Sequence, residues 1–185
     1  MFQRTVSDKI RLEFVSPRHA DALYELIDSN RDHLRPWLAW VDRTTCAGDV
    51  SQFIRRARRR HRLSGDITAA ILHMGQLAGC IGLDDVDTTH RTAEIGYWLG
   101  GQFQGLGLIT LSANALLKHA FDELDLNRIQ LRAASDNERS KAVARRLGFT
   151  YEGTLRQVAR MYDTFEDLDV YSMLRTEWEA MKTAP

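Results

Sequence analysis

The chain has 185 residues, 44% hydrophobic and 27% charged, and its 25 basic and 25 acidic side chains leave no formal net charge. That composition is ordinary for a globular protein and excludes a collagenous, disordered or globally basic chain. Cys46 and Cys80 are the only cysteines, too few for a disulfide framework or a cysteine-rich zinc site. No stretch has the apolar length of a signal-peptide core or a bilayer span, which predicts a cytoplasmic protein, and the length predicts one domain over residues 1–185.

In chain order, Ile10 to Val15 reads as a strand, with Ile10, Leu12 and Phe14 alternating with Arg11 and Glu13. Ser16-Pro17 predicts a helix start, Ser16 at the N-cap, with Ala20, Leu23, Leu26 and Ile27 at helical spacing. The block Leu34–Trp40 breaks at Pro36 and carries Trp37 and Trp40. Ala47 to Leu63 reads as an arginine-rich helix. Strands follow at Ile67–Met74, Leu77–Val86 and Thr92–Leu99, the first two joined by a Met74-Gly75-Gln76 turn. A third helix opens near Leu106, where Ile109, Ala113, Leu116, Leu117 and Ala120 share one face. Arg128 to Ala134 is a strand, Asn137 to Leu147 a helix closed by Gly148. Thr150–Ala159 and Asp169–Leu174 are the last strands, and Thr176–Met181 is a final helix. This order predicts an α+β protein on one mixed sheet of about seven strands rather than a doubly wound fold.

Residues 96–113, GYWLGGQFQGLGLITLSA, hold five glycines in their first twelve positions. Glycine inside an element costs about 0.5–1 kcal/mol relative to alanine, so the cluster marks a special backbone. A dinucleotide fingerprint fails at Thr110, and no Gly-Lys-Ser/Thr phosphate loop occurs. What remains is a strand ending at Leu99, a glycine-rich turn and a helix N-terminus whose free amides suit an anion such as a pyrophosphate. A glycine-rich turn with no ligand is the alternative.

Gln104-Gly105-Leu106-Gly107-Leu108-Ile109 resembles the acetyl-CoA loop of the GNAT acetyltransferase family, departing only where Ile109 stands for a small residue. Glu94–Leu99, Asn127-Arg128-Ile129, Asn137–Ser140, Arg146–Phe149, Tyr151-Glu152-Gly153 and Asp169–Leu174 with Glu177-Trp178 are similar to its ribosomal-protein N-acetyltransferase branch. The resemblance runs from Ile10 to Trp178. It implies a sheet splayed between the fourth and fifth predicted strands, and direct acetyl transfer from acetyl-CoA to a primary amine in a ternary complex. It also implies that the pantetheine arm meets main chain at Trp98, Leu99 and Gly100 and the side chain of Asn137, with the diphosphate on Gln104, Gly105, Leu106, Gly107, Leu108 and Ile109.

Two proton transfers are required, one off the acceptor ammonium and one onto the departing sulfur. The tyrosine that many family members place seven residues after the asparagine is Ala144 here. Ser140 is the nearest hydroxyl and is taken as the group that meets the thiolate, against the alternative of a solvent-facing helix serine. Glu94 is taken as the base, against the alternative of an ion pair with a neighbouring cation. Trp37 and Trp40 are candidate acceptor-cleft residues or core residues. No metal-ligand spacing occurs, and His73 reads as a hairpin histidine. The run Arg55–Arg62 reads as a solvated face, with ribosomal RNA or an acidic acceptor as the alternative, and a homodimer is a further expected arrangement. The expected acceptor is the N-terminal amine of a ribosomal protein. A small amine, or a module that binds acetyl-CoA without catalysis, are the competing readings.

Overall fold

The computed structural model describes residues 2–183. Eight strands form one sheet: β1 (Gln3–Ser7), β2 (Ile10–Phe14), β3 (Ile67–His73), β4 (Gln76–Asp87), β5 (Thr92–Leu99), β6 (Arg128–Ala134), β7 (Thr150–Met161) and β8 (Thr164–Leu174). Their spatial order is β1-β2-β3-β4-β5-β6-β8-β7, antiparallel throughout except for the parallel pair β5–β6. The first six strands are sequential neighbours, whereas β8 inserts between β6 and β7. The Met74-Gly75 turn has φ of 51° and 82°, both positive, the geometry a two-residue hairpin requires.

The helices are α1 (Ala20–Asp28), α2 (Arg31–Leu34), α3 (Ala47–Ser64), α4 (Leu108–Lys118), α5 (Glu138–Arg146) and α6 (Arg175–Thr183). They cover the two faces of the sheet. On one face α4 and α5 bury Leu108, Ile109, Ala113, Leu116, Leu117 and Ala144 against Ala93, Ile95, Ile129 and Leu131. On the other, α1 and α3 bury Leu23, Ile27, Val50, Ile54 and Ala57 against Ala70 and Cys80. Each buried large aliphatic contributes about 1.5–3 kcal/mol, so these two layers hold the sheet rigid.

Three features depart from the sequence reading. β1 is an eighth strand; its side chains alternate between exposed and half-buried, so it lacks the apolar face that periodicity detects. The β7–β8 hairpin runs beyond both predicted bounds, because its outer part is a polar, mostly exposed ribbon. Ser16 is the N-cap and Pro17 opens the turn as expected, but Pro17–His19 is a separate 3-10 turn ahead of α1; the Ser16 main-chain N–H donates to His19 Nδ1 (3.2 Å), and among the described residues the Ser16 hydroxyl has no partner.

β5 and β6 pair only through Thr92↔Arg128, Ala93↔Ile129 and Glu94↔Gln130. Each strand then stays with its outer neighbour: β4 follows β5 to Gly79↔Leu99, and β8 follows β6 to Ala134↔Leu168. The sheet therefore opens between residues 95–99 and 131–134, leaving main-chain groups on both inner edges without strand partners. Gly79 is required here, since a Cβ on it would stand 2.1 Å from the Trp98 carbonyl oxygen.

Candidate active site

The opening between β5 and β6 widens into a cleft of about 1400 Å3. Strand alternation sorts its walls, since successive side chains point to opposite faces. Tyr97 and Leu99 face α4 and α5, whereas Glu94 and Trp98 face the α1–α3 side.

On the α4–α5 side, Gly105 and Gly107 have φ of +74° and +72°, and a Cβ on either would meet nothing within 4 Å. Positive φ, not a protein neighbour, is what demands glycine there. Gly107 is the left-handed N-cap of α4, so the first amides of that helix front the cleft without side-chain capping. Two guanidinium groups from α5 flank them: Arg146 donates to Thr110 Oγ1 (3.1 Å) and Arg139 to Gln104 Oε1 (2.5 Å). Open space, unpaired amides and two cations fit an anionic group at this end. Ile109, 8% exposed, turns into the core beneath the loop, so the departure from a small residue is absorbed by packing.

The loop is braced from the other side of the cleft. Gly101 N–H donates to Asn30 Oδ1 (2.7 Å), and Gln104 Nε2 lies 2.9 Å from His33 Nε2. Because Gln104 Oε1 already accepts from Arg139, its NH2 group donates to His33, which must be unprotonated at Nε2. Burial, and secondarily Arg139, lower the His33 pKa and favour that state. Gly100 N–H donates to Ala78 O (2.9 Å) and its carbonyl accepts from Phe103 N–H (3.0 Å), which fixes the main chain where β5 enters the loop.

The most telling contact was not read from the sequence. Tyr97 Oη lies 2.9 Å from Ser140 Oγ, bridging β5 to the first turn of α5. Burial pushes the Tyr97 hydroxyl up to about 12, so it holds its proton. Asn137 caps α5 by accepting from Ser140 N–H (3.1 Å), which fixes that turn, and its NH2 group has no protein partner among the described residues. Ala144, where a tyrosine was sought, is fully buried behind the helix. A phenol thus reaches Ser140 from the strand instead; the tyrosine sits within Glu94–Leu99 of β5, but only the helix packing reveals its partner.

On the opposite face, Glu94 forms an ion pair with Arg132 (2.7 Å) and accepts weakly from Gln130 Nε2 (3.4 Å), the arrangement held as its alternative. Trp37 lines the cleft beside Pro36 and Leu38, 36% exposed. Trp40 does not line it: its ring packs 5.8 Å from Trp98, in the core under α1 and α3. The far end is closed by the β7–β8 hairpin, where Tyr162 Oη donates to Arg35 O (3.1 Å) and the Arg35 guanidinium stacks 4.6 Å over that ring. In the α3 run Arg60 pairs with Asp84 (2.8 Å) and Asp66 (3.5 Å), and Arg55, Arg56, Arg59 and Arg62 are exposed. Among the described residues no cluster of three metal-ligating side chains occurs, and no helix is long and apolar enough to cross a membrane.

Residues 9–150 match the model of the acetyltransferase (GNAT) domain. The chain belongs to the GNAT acetyltransferase family. It is 38% identical over 183 residues to YdaF of Bacillus subtilis strain 168, provisionally named a ribosomal N-acetyltransferase, covering 98% of this chain and 100% of that protein. It is 30% identical over 169 residues to the ribosomal-protein-serine acetyltransferase of Escherichia coli K12, covering 91% and 94%. Among solved structures, RimL, a ribosomal L7/L12 α-N-protein acetyltransferase in complex with coenzyme A, superposes with a TM-score of 0.90 at 27% identity over 94% of this chain and 98% of RimL. The microcin C7 self-immunity acetyltransferase MccE, solved with acetyl-CoA and AMP, gives 0.88 at 30% identity over 91% and 94%. This GNAT protein is therefore an N-acetyltransferase with acetyl-CoA as donor, and the open, amide-lined end of the cleft suits that anionic donor.

Proposed function

We propose that this N-acetyltransferase acetylates the N-terminal α-amine of a ribosomal protein, by direct transfer in a ternary complex. The single observation that carries the reading is the two-faced cleft. Anion-binding features lie on the α4–α5 side and an open, aromatic-walled mouth on the other, so donor and acceptor can meet through the splayed sheet. The names of YdaF and of the Escherichia coli enzyme support the choice of acceptor.

The donor supplies an activated acetyl thioester. Main-chain amides from Gly105 to Ile109 hold its diphosphate, aided by Arg139 and Arg146, while the Gln104 amide donates to Gly101 O (3.2 Å) and shapes the loop. Main chain at Trp98, Leu99 and Gly100 meets the pantetheine, and the Asn137 NH2 group bonds it. The Ser140 hydroxyl gives its proton to the departing sulfur, and Tyr97 Oη donates in turn to Ser140 Oγ, a relay consistent with their 2.9 Å separation. Glu94, oriented by Arg132, takes the ammonium proton through water on the opposite face. An α-amine has a pKa of about 7.7–8.0 and is roughly a tenth neutral at pH 7, whereas lysine near 10.4 is almost wholly charged. A carboxylate already engaged by an arginine suits the lighter task. Trp37 walls the acceptor path, and Trp40 acts only by supporting Trp98.

Thiol release from acetyl-CoA across short peptides with free N-termini, acetylated N-termini carrying lysine, and small amines tests this. Turnover confined to free N-termini is expected; turnover of small amines alone contradicts it.

A further inference from the structure

Glu166 stands apart from the other acidic residue on its wall. Glu94 and Glu166 both line the cleft. The register Ala134↔Leu168 together with strand alternation puts Leu168 and Glu166 on the sheet face that carries Arg132 and Glu94. Glu94 is neutralised by Arg132. Glu166 accepts only from Thr164 Oγ1 (3.0 Å), and among the described residues no cation pairs with it.

The hairpin is built to present this carboxylate. Residues 156–158 of β7 bulge opposite the single residue Asp167 of β8, and Gln157 takes a φ of +51° with its N–H held by Asp167 Oδ1 (2.7 Å). Bulges next to active sites re-aim side chains. This one brings Ala159 directly opposite Glu166, so that only a methyl group stands beside the carboxylate. Trp37, Val158, Met161 and Leu168 complete the corner. The lining leaves it acidic: Asp136 also lines the cleft and is exposed, Arg35 is paired with Asp42 (3.0 Å), and Arg160, which keeps its charge while donating to Tyr162 O (3.1 Å), does not line the cleft as its neighbours Ala159 and Met161 do. The cleft is therefore dipolar, with Arg139 and Arg146 at the donor end and uncompensated carboxylates at the acceptor end.

We propose that Glu166 is the specificity-determining residue of the acceptor end, selecting acceptors that carry a cationic side chain close to the reactive amine. This rests on the N-terminal-amine reading and adds to it a preference for a basic residue near the start of the acceptor chain. The carboxylate pairs with that cation, while the apolar corner covers the acceptor backbone and limits water at the pair.

Steady-state acetylation of two peptides identical except for Lys or Glu at the second position, with wild type, Glu166→Gln and Glu166→Lys, tests the assignment. Wild type prefers the lysine peptide about tenfold in kcat/KM, the size of a partly exposed charge pair together with the repulsion it replaces. Glu166→Gln removes most of that preference through the acceptor KM, with the acetyl-CoA KM unchanged, and Glu166→Lys inverts it. A wild-type ratio near one, or a ratio unaltered by Glu166→Gln, overturns the assignment. If neither peptide is acetylated, the N-terminal-amine reading falls instead. The same ratio is then read between a diamine and a monoamine of equal length, where loss of diamine preference in Glu166→Gln supports the role of Glu166 and an unaltered ratio overturns it.

Discussion

The two sides of the cleft are made of different materials. The donor side is mostly backbone: two glycines at positive φ, the uncapped start of α4 and the Asn137-capped start of α5, all drawn from two short segments. The acceptor side is mostly side chains drawn from α1–α3 connections, β5, β6 and a hairpin some 130 residues away from Trp37. A backbone site serves one invariant ligand, whereas a side-chain site tunes to a partner. Substitutions should therefore separate the two sides kinetically.

The largest separation is expected at the bridge between them. Ser140→Ala lowers kcat about 100-fold, the lower range for a positioned proton donor, with both KM values kept. Tyr97→Phe costs less, about tenfold, and adds little to Ser140→Ala, because the two hydroxyls act as one unit. Fully additive effects would break the relay. Next comes Gly107→Val, which forces a branched side chain to φ of +72° at a cost of about 1–2 kcal/mol. It raises the acetyl-CoA KM about tenfold and leaves the acceptor KM alone, as steady-state kinetics will show. An equal rise in both would blur the distinction between the two sides.

A smaller effect concerns stability rather than turnover. His19, His33 and His119 all have pKa values lowered chiefly by burial, so the unfolded chain binds protons more readily than the folded one below about 6.5. Their contribution is complete above that pH and is lost as pH falls through their lower folded values. The Tm is expected to decline by a few degrees between pH 7 and pH 5.5, before carboxylates such as Glu152, held near 2 by Arg128, begin to titrate. A flat Tm across that window contradicts the assignment.

How much was legible in the sequence follows the same division. Gln104–Ile109 and Asn137 are contiguous patterns whose meaning is local, since glycine and helix-cap residues announce their backbone directly. The opening of the sheet was inferred from a resemblance, and where it begins, after Glu94↔Gln130, is visible only in the pairing. Tyr97 lies in the Glu94–Leu99 stretch that carries the family resemblance, but its link to Ser140 needs α5 packed on β5. Glu166 was passed over because its strand was predicted to begin at Asp169: the polar outer ribbon has no apolar period, and the bulge at 156–158 breaks what alternation there is. Trp37 and Trp40, three positions apart in sequence, part company across the turn that follows α2, one lining the cleft and the other packing on Trp98.

The central claim, that donor and acceptor occupy opposite faces of one splayed sheet, is tested most directly by amide hydrogen exchange with and without acetyl-CoA. Protection confined to residues 98–111 and 137–146, with the 158–168 hairpin unchanged until an acceptor peptide is added, is the predicted result. Protection of the hairpin by acetyl-CoA alone, with residues 104–109 unaffected, would contradict it.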